Sequence, residues 1–227
     1  MKDIGNRYEI SSLTNDKVKL INSLHHRKYR REHNLFVAEG IRICREAVEN
    51  GWEIRYLLYD NLHADIQKIE NLISDVLCLG ADVIGVTSEI LSKISHKENS
   101  QNVLCVICQK WNDLPGIIKD KTFVALETVR DPGNLGTILR TMDGVGATDC
   151  ILLDECTDPF SYESVRASMG AIFNVNIIAS STKNFLKWKS KHEISLIGTS
   201  LINATDYTKT NWQLPFVLAM GNEQQGL

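Results

Sequence analysis

Proline is scarce in this chain, with 4 in 227 residues, and the 14 glycines follow no period. That composition excludes a collagenous, low-complexity or disordered chain. No apolar run approaches the ~18 to 20 residues that a membrane-spanning helix needs. The opening stretch MKDIGNRYEI has no apolar core of signal-peptide length. A cytoplasmic protein with no membrane partner is the expectation. Neither sign of charge dominates: 25 Lys and Arg stand against 28 Asp and Glu, a net charge of −3. Any polyanion must therefore be met by a local patch rather than by the field of the whole molecule. The six cysteines, at 44, 78, 105, 108, 150 and 156, form no dense framework, so reduced thiols are expected. Cys105-x-x-Cys108 has zinc-ligand spacing, but it sits in the apolar run NVLCVIC without a second Cys or His pair nearby. Two thiols in a strand, and no metal, are expected there.

What is present is an ordinary globular composition, 43% apolar and 23% charged. At about 150 residues per domain, the length fits one large domain or two small ones. Asn15 or Asp16 caps a helical stretch, KVKLINSLHHRKYRREH, with Val18, Ile21 and Leu24 at three-residue spacing. The strand-like LFVAE, the helix IRICREAVEN closed by Gly51, and the strand EIRYLLY follow. After VLCVIC, a Pro-Gly breaker in WNDLPGIIKD marks a domain boundary. The division expected is 1–110, a linker at 111–120, and 121–227. The second half carries the apolar strands TFVALE, CILLD, ISLIGTS and FVLAMG between helices or loops. That alternation predicts an α/β fold with an open, mostly parallel sheet, and ligands at the carboxyl ends of its strands.

Residues 125–147, ALETVRDPGNLGTILRTMDGVGA, read as a strand, a turn and a helix. Leu135, Ile138, Leu139, Met142 and Val145 make one apolar stripe. Gly136 and Arg140 fall one turn apart on the other side, so Arg140 is expected to point outward with the bare glycine beneath it. Asn134 stands at the helix start. A solvated, capped helix is the plain reading. A dinucleotide site is another, because Asp154 follows Gly133 at about the distance of a ribose-binding acid, although the three-glycine spacing is lacking. The final residues, GNEQQGL, follow an apolar strand and present amides and a carboxylate suited to an adenosine-like ligand.

Three stretches in order carry a resemblance: Asn134-x-Gly136-x-x-x-Arg140, then CTDPFSYESVRASMGAIF, then MGNEQQGL. They resemble the successive signatures of the SpoU (TrmH-like) family of RNA ribose 2′-O-methyltransferases, of the SPOUT class. In the first half, ISSLTNDKVK, Arg27, Arg30, Arg31 and FVAEG resemble that family's small α/β RNA-binding domain, itself similar to certain ribosomal proteins. The resemblance implies a knotted α/β catalytic domain, S-adenosylmethionine as cofactor, and a homodimer. It implies a cofactor loop of Met220, Gly221, Asn222, Glu223, Gly226 and Leu227, with Thr199 beside it, and a catalytic set of Asn134, Arg140 and Glu223. Ribosomal RNA is the expected substrate, ahead of tRNA. In the family the pattern continues into an Ile-Pro-Met loop and a Ser-Leu-Asn-Val helix start. Both are absent from these residues, so the knot is expected to be incomplete here. A catalytically silent RNA-binding paralogue is the alternative.

The ribose 2′-hydroxyl is a poor nucleophile, and Arg140 is expected to act as an electrostatic clamp on the developing alkoxide. RNA contact has support independent of the resemblance. Residues 17–31 contain Lys17, Lys19, Arg27, Lys28, Arg30 and Arg31 and no acid, a local charge of +6, with Tyr29 and two histidines interleaved. Arg166 and Ser168 are further candidate contacts.

Overall fold

A computed structural model describes residues 4–97, 101–202, 204–222, 224, 226 and 227. The chain forms two compact units. One comprises residues 1–109 together with 160–166, and the other residues 110–159 and 167–227.

The first unit begins with β1 (Arg7–Ile10), α1 (Asp16–Ser23), α2 (Arg27–His33), β2 (Leu35–Glu39), α3 (Ile41–Glu49) and β3 (Ile54–Asp60). It continues through α4 (Ile66–Cys78), β4 (Asp82–Val86), α5 (Ser88–Ser95) and β5 (Val103–Cys108). The sheet order is β1-β4-β3-β5-β2. The first three of these strands run parallel, while β5 and β2 pair antiparallel. Val37, Leu58, Ile84 and Val106 of the sheet pack against Val18 and Ile21 of α1 and Ile90 and Ile94 of α5. Asn15 and Thr87 cap α1 and α5 with side-chain oxygens, so each apolar stripe starts at a fixed point.

The single helix expected over Lys17–His33 is two helices. His26 is extended, and the buried Arg30 guanidinium donates to the carbonyls of Leu24 and His25, both at 2.7 Å. The side chain satisfies carbonyls that a continuous helix would have paired internally.

Residues 160–166 complete this unit. Phe160 is fully buried, with ring centroids 4.9 Å from Phe36 and 6.3 Å from Trp52. The Tyr162 hydroxyl bonds to the Glu39 carboxylate and to Lys97, and Lys97 pairs with Glu39 at 2.8 Å. Phe160→Ala is expected to destabilise the protein by about 3 kcal/mol or more. Thermal unfolding should then begin about 10 °C lower, read by circular dichroism.

The second unit is an all-parallel sheet of order β8-β7-β6-β10-β9. Its elements are β6 (Thr122–Glu127), α6 (Pro132–Val145), β7 (Asp149–Leu153), α7 (Tyr162–Ser168, shared with the first unit), a 3₁₀ turn (Ala171–Phe173) and β8 (Asn176–Ser180). Then come α8 (Thr182–Lys191), β9 (Ser195–Gly198), a second 3₁₀ turn (Tyr207–Lys209) and β10 (Phe216–Met220). Phe123, Ala125, Ile151, Ile178 and Val217 meet Phe185 and Trp188 of α8 on one face. Leu135, Leu139 and Met142 of α6 are also buried. Val145, expected in that stripe, is 74% exposed, because the helix closes one residue later at Gly146 in the left-handed conformation. Residues 111–120, expected as a linker, sit on this unit. Asn112 bridges to Ile178, and the Trp188 indole donates to the Pro115 carbonyl at 2.8 Å.

Candidate active site

The chain runs outward from β6 through β7 to β8, then returns to the other side of β6 as β9 and β10. Strand order therefore reverses between β6 and β10, the position where parallel sheets open a crevice at their carboxyl edge. The backbone ladder between these strands ends at the Leu126–Met220 pair.

The loop leaving β6 is held rigidly. Thr128 has φ of +50°, which for a β-branched residue costs about 1–3 kcal/mol and persists only where its surroundings fix it. Its carbonyl accepts from the Asn222 amide at 3.0 Å. The next residue, Val129, accepts from the Thr157 N–H at 2.8 Å. Cys156 donates its thiol to the Leu126 carbonyl at 3.2 Å, and burial pushes that thiol's pKa up, so it stays protonated. Asp131 then caps α6 by accepting from the Asn134 N–H at 2.7 Å, with Pro132 in the first turn. Asn134 is thus in the first helical turn, exposed, beside the carboxyl edge of β6.

Arg140 is exposed farther along α6, as expected. The glycine before it serves a different purpose from the one expected. Gly136 is buried, and a Cβ there would lie 2.4 Å from the Ala167 Cβ and 2.8 Å from the Ser168 nitrogen. The bare glycine admits the end of α7 and makes no room for Arg140.

The loop leaving β10 folds back on itself. Asn222 N–H donates to the Gly226 carbonyl at 3.1 Å, and Gly226 N–H to the Asn222 carbonyl at 2.9 Å. Gly226 has φ of +73°. Gly221 lies so close to the returning strand that a Cβ would fall 2.1 Å from the Gly226 carbonyl carbon. Leu227 lies over Gly198 at the end of β9, within 2.9 Å of where a Cβ would be. Thr199, next in the chain, donates its N–H to Ala219 of β10 at 3.0 Å. The structure therefore gathers Thr199, Met220, Gly221, Asn222, Gly226 and Leu227 at one sheet edge. Glu223 lies outside the described residues. Exposed Leu227, the backbone at Gly226 with nothing within 4 Å of its missing Cβ, and the Thr199 hydroxyl suit an adenosine-type ligand, which needs apolar surface and a few polar partners. The acid of the alternative dinucleotide reading is tied to the start of α8. The Asp154 carboxylate accepts from both the N–H and the hydroxyl of Thr182.

The basic patch of the first unit is smaller than its charge count. Arg30 is 4% exposed and closes the turn after α1, so it is a structural residue. Lys17 pairs with Asp82 at 3.1 Å and donates to the Tyr8 hydroxyl. Burial lowers its pKa, but those two hydrogen bonds outweigh that effect and raise it overall, so the ammonium stays charged and tethered. Lys19 pairs with Asp16 on the surface. Arg27, Lys28 and Arg31 are exposed on α2. Ser168, expected to contact RNA, is fully buried, whereas Arg166 is exposed. Arg30→Ala is expected to destabilise the fold by about 2–3 kcal/mol in urea titrations, because it leaves two carbonyls without their partner. Arg31→Ala should leave the unfolding midpoint unchanged.

Fold and site together define a two-unit α/β protein whose second unit joins two loops at the carboxyl edge of a parallel sheet. A model of the SpoU rRNA Methylase family matches residues 121–227, and one described as an MRM3-like substrate binding domain matches residues 15–105. An rRNA methyltransferase from Sinorhizobium meliloti is 38% identical, with a TM-score of 0.90 over 98% of this chain and 85% of that one. The SpoU methyltransferase AviRb from Streptomyces viridochromogenes, solved with its cofactor AdoMet, is 26% identical. Its TM-score is 0.82 over 94% of this chain and 83% of that one. A 23S rRNA (guanosine(2553)-2'-O)-methyltransferase of Bacillus subtilis is 26% identical over 96% of this chain and 84% of its own length. The chain belongs to the SpoU rRNA methylase family.

Proposed function

We propose that this protein methylates a ribose 2′-hydroxyl of ribosomal RNA, using S-adenosylmethionine. The observation that carries the reading is the meeting of two loops at the β6–β10 crevice, one leading to Asn134 and Arg140, the other formed by residues 220–227. The solved relative with AdoMet and the relatives named as rRNA methyltransferases support it. S-adenosylmethionine supplies an electrophilic methyl group when bound. Thr199, Met220, Gly221, Gly226 and Leu227 are the residues to hold it, together with Glu223 from the family pattern. Asn134 orients the acceptor ribose. Arg140 donates hydrogen bonds to the 2′-oxygen and stabilises the negative charge that develops there during transfer.

Residues 1–110 serve as the substrate-binding unit, with Arg27, Lys28 and Arg31 on phosphates and Arg166 as a further contact, and residues 121–227 as the catalytic unit. The enzyme works in the cytoplasm as a homodimer. Exposed Leu201, Ile202, Trp212 and Leu214 of the second unit offer apolar surface for that pairing.

The test is incubation of the protein with methyl-labelled S-adenosylmethionine and ribosomal RNA, followed by alkaline hydrolysis. Label in an alkali-resistant dinucleotide is expected, since a 2′-O-methyl group blocks cleavage at its own nucleotide. RNA retained on the protein without label would instead identify a silent RNA-binding paralogue.

A further inference from the structure

The geometry points to Asn222 as a positioning residue whose side chain latches the loop after β10 to the loop after β6, setting the distance between methyl donor and acceptor ribose. The inference rests on the function proposed above. Each of the four polar atoms of Asn222 is engaged within the protein. Its N–H and carbonyl pair with Gly226, its Oδ1 accepts from the Gln224 N–H at 3.0 Å, and its Nδ2 donates to Thr128. The first three bonds shape the loop itself. The fourth crosses the crevice.

That crossing bond lies where a link has most effect. The ladder joining β6 to β10 stops at Leu126 and Met220, so past the sheet edge the side-chain bond continues the joining. Its acceptor is the carbonyl of a threonine held at φ +50°, one residue from the clamp at Val129 and Thr157 and three from the cap of α6. A backbone held against its preference, with its carbonyl turned onto one amide, marks a position over-determined by its surroundings. Movement of residues 221–227 is therefore passed to Asp131 and on to the first turn of α6, where Asn134 sits. Near-attack geometry is sensitive to such shifts, and about 1 Å of misplacement costs roughly 100-fold in rate.

Asn222→Asp keeps the shape but replaces the donor with an acceptor facing the Thr128 carbonyl, and Asn222→Ala deletes the bond without adding charge. Cofactor affinity is read by calorimetry on the RNA-free protein, turnover with ribosomal RNA at saturating S-adenosylmethionine, and hydrogen–deuterium exchange on the full chain. The latch predicts that the turnover number falls about 30-fold or more while cofactor affinity changes less than about threefold. It also predicts faster exchange at residues 129–131, across the crevice. Weakened cofactor affinity with full turnover at saturation would make Asn222 a direct ligand and overturn the latch. So would exchange changes confined to residues 221–227. Should the Asp variant fail to fold, the Ala variant carries the same measurements. If the unsubstituted protein transfers no methyl group, the function is wrong, and the exchange data still show whether the loops are coupled.

Discussion

Arg140→Ala is expected to slow methyl transfer by at least about 10²–10³-fold while leaving the protein folded and able to bind both S-adenosylmethionine and RNA within about threefold. Two observations support that combination. Arg140 is exposed on α6, and the buried residues Leu135, Leu139 and Met142 that hold the helix to the sheet lie on a different stripe. Its removal leaves no cavity and no buried partner stranded. The loss falls on the alkoxide, which exists only as the reaction proceeds, so single-turnover rates should fall while binding curves overlay. Arg140→Lys separates charge from shape. A lysine restores a positive charge but not the planar fork, so recovery of full activity would show that charge alone suffices.

Gly221→Ala is expected to weaken S-adenosylmethionine binding by about 100-fold, measured by calorimetry, with little change in RNA affinity. A single methyl group placed there would lie 2.1 Å from the Gly226 carbonyl carbon and 2.4 Å from the Leu227 nitrogen. Both obstacles are backbone, so no side-chain rotation relieves them and the returning strand must move. Forcing a methyl into close packing costs about 1–3 kcal/mol. Gly226→Ala provides the comparison. It has φ of +73° but open space around the missing Cβ, so only the left-handed penalty of about 1–2 kcal/mol applies and the expected loss is smaller. Gly198→Ala should be milder still, because the contact is the tip of the Leu227 side chain, which can swing away. The reverse order of the three would show that the loop is not folded back as described.

The strands whose residues are apolar throughout were legible in the sequence, because a strand buried on both faces has no alternative use for such a run. β6, β7 and β10 fall on the expected stretches. β8 was not anticipated. Its five residues, NIIAS, follow a 3₁₀ turn rather than a full helix, so the alternation that marks the other strands is missing. Site glycines and Asn222 could be named from their motif, but the bond from Asn222 to Thr128 depends on β10 lying beside β6. Strand order is not written in local pattern. The burial of Arg30 and Ser168 was hidden for a related reason. A count of charges treats every guanidinium as solvated, and nothing near Arg30 in sequence announces that it turns back onto the carbonyls of Leu24 and His25. Gly136 stands out in the sequence only as space beneath Arg140, because the element that approaches it, α7, is some thirty residues away in the chain.

The seven residues 160–166 also constrain how proteins of this kind can be recombined. They arise in the middle of the second half of the chain, yet they fill the hollow bounded by Phe36 and Trp52 in the first unit. A fragment cut at residue 110 would carry those two rings uncovered and would tend to stick to itself. Chimaeras that exchange the RNA-binding half between relatives would inherit the same mismatch unless the 160–166 segment travels with it. Gene fusion at the obvious boundary is therefore not a neutral step for this architecture, and the two halves are expected to have diversified as a matched set.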